Sequence, residues 1–262
     1  MIQQNTQNKY HNTMSLKLLT PKHYYNEFKQ LLKFVITPIN TTNHALTISQ
    51  KIKGAWTMFV VKFILAIIIG VSIGVFYDAE NLTRSNMAER FSPIALLFVT
   101  VLILPLLEEI AFRLSLKFKP IFLALSLGIL TYYFVSKGVY HTKLSDVYDH
   151  FIERCFISLG TLCVTYALFS ITKIKNWLEL FWNNNFKWIF YSLCFAFAWI
   201  HIFNYELSLE HLLLMPIITM DKLVSALCYG YTRVTYGFVY SLAIHMLNNS
   251  IGFMVIMISS AN

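Results

Sequence analysis

Long apolar stretches separated by short polar ones make up the chain from about residue 55 onward. A helix needs about 20 apolar residues to cross a bilayer. Seven stretches approach that length: residues 55–77, one beginning near 91, 120–136, 155–172, 187–204, 209–231 and 235–258. Each is continuous rather than alternating, which favours helices over the strands of a barrel. The pattern predicts an all-α, polytopic transmembrane helical bundle of about seven membrane segments.

The first 54 residues are polar and mixed, and we expect them to form a cytoplasmic arm before a transmembrane domain at 55–262. One surface helix is predicted near residues 24–36. Lysines beside a first span favour a cytoplasmic N terminus and contact with anionic lipid headgroups. Lys62, inside the first span, is predicted to snorkel towards the headgroups. The amphipathic stretch 173–188 is predicted to lie at the membrane interface.

Composition supports a membrane protein and limits the classes of partner. Of 262 residues, 56% are hydrophobic and 13% are charged, whereas soluble proteins carry about 25% charged residues. Much of the net charge of +8 is N-terminal lysine, so it does not indicate nucleic-acid binding. Four cysteines lie singly in apolar segments and are predicted to be buried free thiols: Cys155, Cys163, Cys194 and Cys228.

Three charged residues interrupt the second apolar segment in "LLEEIAFRLSL", residues 106–116. Each charge costs about 2.5 to 3.5 kcal/mol in a bilayer centre even on mild scales. Glu109 and Arg113 share a helical face and can form an ion pair. Glu108 points about 100° away from Glu109, and an unpaired carboxylate in apolar surroundings is a candidate general base. Alternatively, all three form one ion-pair cluster at an interfacial helix end.

Two further segments carry polar residues at helical spacing. "FAFAWIHIFNY" places Phe197 and His201 on one face, and "SLAIHMLNNSIGF" does the same for His245 and Asn249. Each could be a satisfied core histidine or polar glue between helices. Polar residues that avoid lipid should nevertheless converge on one interior. A glutamate and histidine around water form a hydrolytic centre, and two histidines with a glutamate also bind catalytic zinc. No His-Glu-x-x-His motif is present.

The three motifs resemble those of a known family when read in order. "EEIAFR" at 108–113, "FAWIH" at 197–201 and "HMLNN" at 245–249 are similar to the motifs of the CPBP, or ABI, intramembrane proteases. That family is related to the type II CAAX prenyl endopeptidases. The resemblance covers about residues 93–258 and includes the lead-in "ALCYGYTRVTYGFVYSLAIHMLNN". It implies an intramembrane endopeptidase that hydrolyses a peptide bond of a membrane-associated or lipidated substrate.

The resemblance also implies residue roles and a location. Glu108 and His201 would activate water, and His245 with Asn249 would stabilise the oxyanion. Structural support would come from Glu109, Arg113 and Phe197. We expect no metal cofactor; in a metalloendopeptidase, zinc would be held by Glu108, His201 and His245. The expected partners are the substrate and membrane lipids, without nucleic acid, and the expected location is the cell (inner) membrane of a bacterium.

Several features leave alternatives open. Two apolar segments separate the first and second motifs, where many family members have a shorter connection. If every segment crosses fully, Glu108 lies near the inner end of its helix and His201 near the outer end. Either one segment is re-entrant, with 120–136 the first choice, or the motif helices are broken or tilted. Asp221 and Lys222 interrupt the sixth segment and have no predicted role.

The alternative functions belong to other classes. The runner-up is a non-catalytic family member that acts as a membrane scaffold or bacteriocin-immunity protein. A transporter that uses its buried carboxylates as proton carriers is a third possibility. The absence of paired repeats argues against the transporter.

Overall fold

A computed structural model describes residues 20–40, 46–77, 87 and 89–260. These residues form helices and connecting turns and contain no strand, so the all-α prediction is confirmed. Among the residues that the structure describes, six helices are long and apolar enough to cross a membrane, or seven if one bent pair counts as a span. The chain is therefore an integral membrane protein built as a polytopic helical bundle.

The helices are numbered here in chain order. Their bounds are α1 Pro21–Ile36, α2 Ile48–Phe76, α3 Pro93–Leu97, α4 Leu104–Phe112, α5 Pro120–Phe134, α6 Phe151–Ser170, α7 Thr172–Asn184, α8 Phe186–Ile200, α9 Leu209–Ile218, α10 Met220–Thr235 and α11 Phe238–Ser260. The π-helical segment Phe98–Ile103 joins α3 to α4, and a second one, Val135–Val139, follows α5. A short 3₁₀ turn, His201–Asn204, extends α8.

The predicted segments match these helices with two differences. The segment predicted as the first choice for a re-entrant one, 120–136, lies in Pro120–Val139, which is long and apolar enough to cross a membrane, whereas α9 and α10 form a pair bent by 41°. Pro216 in α9 removes one backbone donor shortly before this bend. The predicted boundary at residue 54 falls inside α2, which begins at Ile48. Thr47 starts α2 with a capping box formed with Gln50.

Helix α1 contains the helix predicted near residues 24–36, and it packs against the bundle. Its Phe34 ring lies edge-on to Phe190 at 5.1 Å and to Tyr231 at 5.4 Å between centroids. The Tyr236 hydroxyl donates a 2.6 Å hydrogen bond to Glu27. Aromatic contacts and a charge-assisted hydrogen bond therefore fix α1 against the start of α8 and the end of α10.

The connector predicted to lie at the membrane interface contains helix α7. No residue described in α7 is buried, and Trp177, Leu180 and Phe181 are exposed on it. Exposed aromatic side chains with lysines nearby suit a helix lying at the membrane interface.

The cysteine prediction is partly correct. The described residues contain all four cysteines as free thiols. Cys194 and Cys228 are buried, whereas Cys155 is half-buried and Cys163 is exposed. Helix α6, which carries the latter two, has few buried positions, so burial inside the protein was the wrong expectation there.

Gly54 allows α2 to approach the end of α10 closely. A β-carbon added at Gly54 would lie 2.3 Å from Cζ of Tyr236. That ring is held by its bond to Glu27 and is only 5% exposed, so it has little room to move.

We expect Gly54→Ala to lower stability by about 1 to 3 kcal/mol through overpacking. Gly70→Ala in the same helix is the matched control, because nothing lies within 4 Å of its added β-carbon. Alanine is a better helix former there by about 1 kcal/mol. Thermal unfolding in detergent measures both, and equal melting temperatures for the two variants would contradict the close approach.

Candidate functional site

The helix that bears the first motif starts after a π-helical segment. In that segment the N–H of Leu104 donates to the carbonyl of Val99, five residues earlier. The next residue, Pro105, has no N–H, so it cannot donate a hydrogen bond to the Thr100 carbonyl in the same way. The side-chain amide of Asn249 donates to this carbonyl at 2.9 Å instead. The third motif thus helps fix the entry to the first.

Glu109 is fully buried and has three side-chain partners. Its Oε1 lies 3.7 Å from Nε of Arg113 and 3.0 Å from Nδ1 of His245, and its Oε2 accepts a 2.6 Å bond from Ser241. The predicted pairing of Glu109 with Arg113 is confirmed. Burying the Glu109 carboxylate removes it from water, and one arginine compensates only part of that free-energy cost. The contacts with Ser241 and His245 on α11 offset the rest.

Arg113 packs against the aromatic ring of Phe197, which belongs to the second polar segment. Its guanidinium carbon lies 3.7 Å from the ring centroid of buried Phe197. Its two terminal nitrogens have no hydrogen-bond partner among the described residues. A desolvated cation over an aromatic face gains about 2 kcal/mol, so Phe197 supports the arginine that supports Glu109.

His245 lies between the two carboxylates of the first motif. Its Nδ1 is 3.0 Å from Glu109, and its Nε2 is 3.4 Å from Oε2 of Glu108. The ring stacks on Tyr229 with centroids 4.6 Å apart. Stacking and the Nδ1 contact fix the orientation of the imidazole, and the imidazole in turn fixes Glu108. The adjacent glutamates thus have different surroundings, as their rotation around the helix predicted.

His201 ends α8 with a fixed tautomer. Its Nδ1 lies 2.7 Å from the carbonyl oxygen of Phe197. A carbonyl only accepts hydrogen bonds, so Nδ1 carries a proton, and in the neutral ring Nε2 is then the nitrogen that presents a lone pair. This side chain can therefore accept a hydrogen bond through Nε2.

Glu108 and His201 line the same cavity, which has a volume of about 360 Å³. The side chain of Glu108 is 18% exposed, in contrast to that of Glu109. Tyr133 and Lys137, from α5 and the turn that follows it, line the cavity as well. The two catalytic candidates therefore face one cavity, although full crossing by every predicted segment would have placed them near opposite ends of their helices.

The two predicted oxyanion donors do not line this cavity. Both nitrogens of His245 face carboxylates, and Nδ2 of Asn249 donates to the Thr100 carbonyl. Asn248 donates in turn to Oδ1 of Asn249 at 3.3 Å. The proposed oxyanion role of His245 and Asn249 stays a prediction, and in this arrangement their donors are directed elsewhere.

A loop held by a buried arginine contributes Lys143, Leu144 and Ser145 to the lining of the cavity. Arg154 is fully buried and donates to the carbonyls of His150 and Lys143, to the Asp146 carbonyl and to Ser136. The N–H of Tyr148 and that of Asp149 donate to the Asp146 carboxylate and hold its pKa below the usual range. One arginine thus ties down the loop between the third and fourth spans.

Sequence reasoning missed several residues around the site. Lys62 does not snorkel: it is 4% exposed and donates to Asn248. Asp221 and Lys222 form a 2.8 Å ion pair within electrostatic range of His201. Charges inside apolar segments are the signal that marked these three residues. For Ser241, the only signal in the sequence is its position four residues before His245, which places both side chains on one face of the helix.

The alternative zinc site is not assembled in this arrangement. Within the part of the chain that the structure describes, no three His, Cys, Asp or Glu side chains are grouped closely enough to hold a metal ion. Glu108 and His245 are neighbours, but the ring of His201 completes no ligand triad with them. The contact of its Nδ1 with a carbonyl would still leave Nε2 able to bind a metal, so it is the grouping of the three side chains that is missing in this arrangement.

Comparison with known proteins gives no relative from which function could be read. Neither protein-family models, nor curated proteins, nor solved structures match this chain. The site must therefore be interpreted from its own residues.

Proposed function

We propose that the protein is an intramembrane endopeptidase of the kind that its three motifs resemble. The observation that carries the proposal is that Glu108 and His201, on separate helices, line one cavity inside an apolar bundle. Intramembrane ionisable residues usually mark functional interiors. Glu109 alone forms the buried ion pair with Arg113. A structural role for this motif would not require the adjacent Glu108 carboxylate to face a cavity.

Glu108 acts as the general base in the proposed reaction. It takes one proton from a water molecule, whose other proton is held by Nε2 of His201. The water oxygen forms a bond to the peptide carbonyl carbon. The tetrahedral intermediate then expels the amine, which leaves with the proton returned by Glu108. Base catalysis of this kind contributes about 100- to 10,000-fold in rate.

The remaining motif residues position the base. His245 lies beside Glu108 and is itself held by Glu109, while Arg113 and Phe197 support Glu109. A chain of contacts through fixed groups keeps the carboxylate in one orientation, which avoids reorganisation during reaction.

The proposed substrate is a membrane-embedded or lipidated peptide, since the cavity lies within the helical bundle. The test compares membrane peptides by mass spectrometry in cells that produce the wild type or Glu108→Gln. Cleaved peptides that appear only with the wild type support the proposal. Identical peptide sets would favour the non-catalytic scaffold or immunity role.

We also propose that the N terminus is cytoplasmic, in the cell membrane of a bacterium. The start of α8 contacts α1 through Phe190. The end of α8 reaches the cavity through His201. Lysines cluster in the short connections at the end of the bundle where α1 lies: Lys117, Lys119, Lys173, Lys175 and Lys187. Short cytoplasmic loops are enriched in such residues. The cavity then opens at the opposite, extracytoplasmic face.

Cysteine labelling in intact cells tests this orientation. With the native cysteines replaced, Tyr148→Cys in the loop near the cavity should react with a membrane-impermeant maleimide. Lys175→Cys on α7 should react only after the cells are opened. Both positions are exposed, so accessibility within the protein is matched. The reverse labelling pattern would place the cavity on the cytoplasmic side.

A further inference from the structure

Tyr133 has a buried hydroxyl that the arrangement described so far does not use. Tyr133 lies on α5 and is one of the residues that line the cavity shared by Glu108 and His201. The residue is 6% exposed, and its hydroxyl has no hydrogen-bond partner among the described residues. Most buried polar groups are paired, and an unpaired one requires an explanation.

The surroundings of Tyr133 favour a ligand as the missing partner. Tyr133 lines the same cavity as Glu108, the proposed base, yet its hydroxyl forms no hydrogen bond with that carboxylate. Its neighbour Tyr132 donates a 2.8 Å bond to the Leu144 carbonyl. Two adjacent tyrosines on one helix therefore differ: one fastens the cavity loop, and the other holds an unused donor beside the base.

The reaction also needs a donor at this position. Peptide hydrolysis develops negative charge on the carbonyl oxygen, and a donor aimed there lowers the barrier. The donors of His245 and Asn249 are directed at Glu108, Glu109 and the Thr100 carbonyl. Lys137, which also lines the cavity, is only half-buried. Among the lining residues, Tyr133 is the one that is buried and carries a hydrogen-bond donor.

We propose that the Tyr133 hydroxyl donates a hydrogen bond to the scissile carbonyl oxygen and stabilises the oxyanion. Tyr133 is thus a further catalytic residue, and this role rests on the proposed peptidase function. No proton is transferred: the hydroxyl keeps its hydrogen, and its bond shortens as charge builds on the oxygen. A phenol on α5 that donates to the substrate carbonyl also requires this carbonyl to lie between α5 and the Glu108 side chain on α4.

The variant Tyr133→Phe removes this donor and little else. The probe is a synthetic fluorogenic peptide spanning a cleavage site found in the membrane comparison, with purified protein in detergent. We expect kcat to fall by about 100- to 1,000-fold, as when other oxyanion donors are removed. KM should change little, because the bond strengthens mainly in the transition state. The melting temperature should stay equal or rise, since an unpaired buried hydroxyl is lost.

Matched variants separate this proposal from the general function. Tyr166→Phe, on α6 and half exposed to the surroundings, should match the wild type in rate and melting temperature. Normal cleavage by Tyr133→Phe, with Glu108→Gln inactive, would overturn the tyrosine role and leave the peptidase proposal standing. Normal cleavage by both variants would overturn the peptidase mechanism itself. A large fall in the melting temperature of Tyr133→Phe would identify a structural hydroxyl and would also overturn the role.

Discussion

Replacing Glu108 with glutamine should abolish peptide cleavage while leaving the bundle folded. Glutamine keeps the shape of the side chain beside His245 but cannot accept a proton from water. General-base catalysis contributes about 100- to 10,000-fold, so the purified variant should lose at least that factor in kcat. Cleavage of the fluorogenic peptide measures the loss, and thermal unfolding in detergent verifies that the protein remains intact.

A control glutamate separates the base from a general effect of charge. Glu179→Gln, on the exposed helix α7 and outside the cavity, should cleave at the wild-type rate. Full activity of Glu108→Gln would remove Glu108 as the base. The same assay after exhaustive chelation tests the zinc alternative: activity lost on chelation and restored by zinc alone would replace direct base catalysis with a metal-bound water.

Arg113→Ala should cause the largest loss of stability of any variant considered for the site. It leaves Glu109, fully buried, without its cation and removes the group that covers the Phe197 ring. Breaking a buried ion pair from one side typically costs about 3 to 5 kcal/mol. The variant should melt well below the wild type, express poorly and lose activity, because Glu109 positions His245 and, through it, Glu108.

Two further arginine variants define what is lost. Arg113→Lys restores charge but not the planar group over Phe197, so it should recover only part of the stability. Arg90→Ala removes an exposed arginine and should leave the melting temperature unchanged. An Arg113→Ala protein that melts and cleaves like the wild type would show that the ion pair with Glu109 has no supporting role.

Within single helices, the sequence was a reliable guide. Apolar length predicted the spans, because crossing hydrocarbon requires a minimum helix length whatever the neighbours are. Spacing of four residues predicted the pairing of Glu109 with Arg113, and rotation by about 100° predicted different surroundings for Glu108. Both properties follow from local helix geometry, which depends little on the rest of the bundle.

Contacts between helices could not be read in the same way. Nothing in the spacing places His245 between two carboxylates, or Glu108 and His201 on one cavity wall, because these depend on how far each helix is shifted along its neighbours. The π-helical segment before α4 and the 41° bend between α9 and α10 change those shifts. For the same reason Lys62, predicted to reach the headgroups, is buried against Asn248.

The sequence alone determined an all-α membrane protein with three polar motifs on separate helices, since bilayer thickness and helical periodicity act on each segment independently. Only the tertiary structure decided which of those polar groups bond to one another and which face a cavity. Glu109 is paired with Arg113 and His245, and the Asn249 amide donates to the Thr100 carbonyl that Pro105 cannot reach with an N–H. Glu108, His201 and Tyr133 line one cavity, and the Tyr133 hydroxyl has no partner among the described residues. That division depends on packing, because a buried polar group bonds to whichever partner the fold brings within about 3 Å.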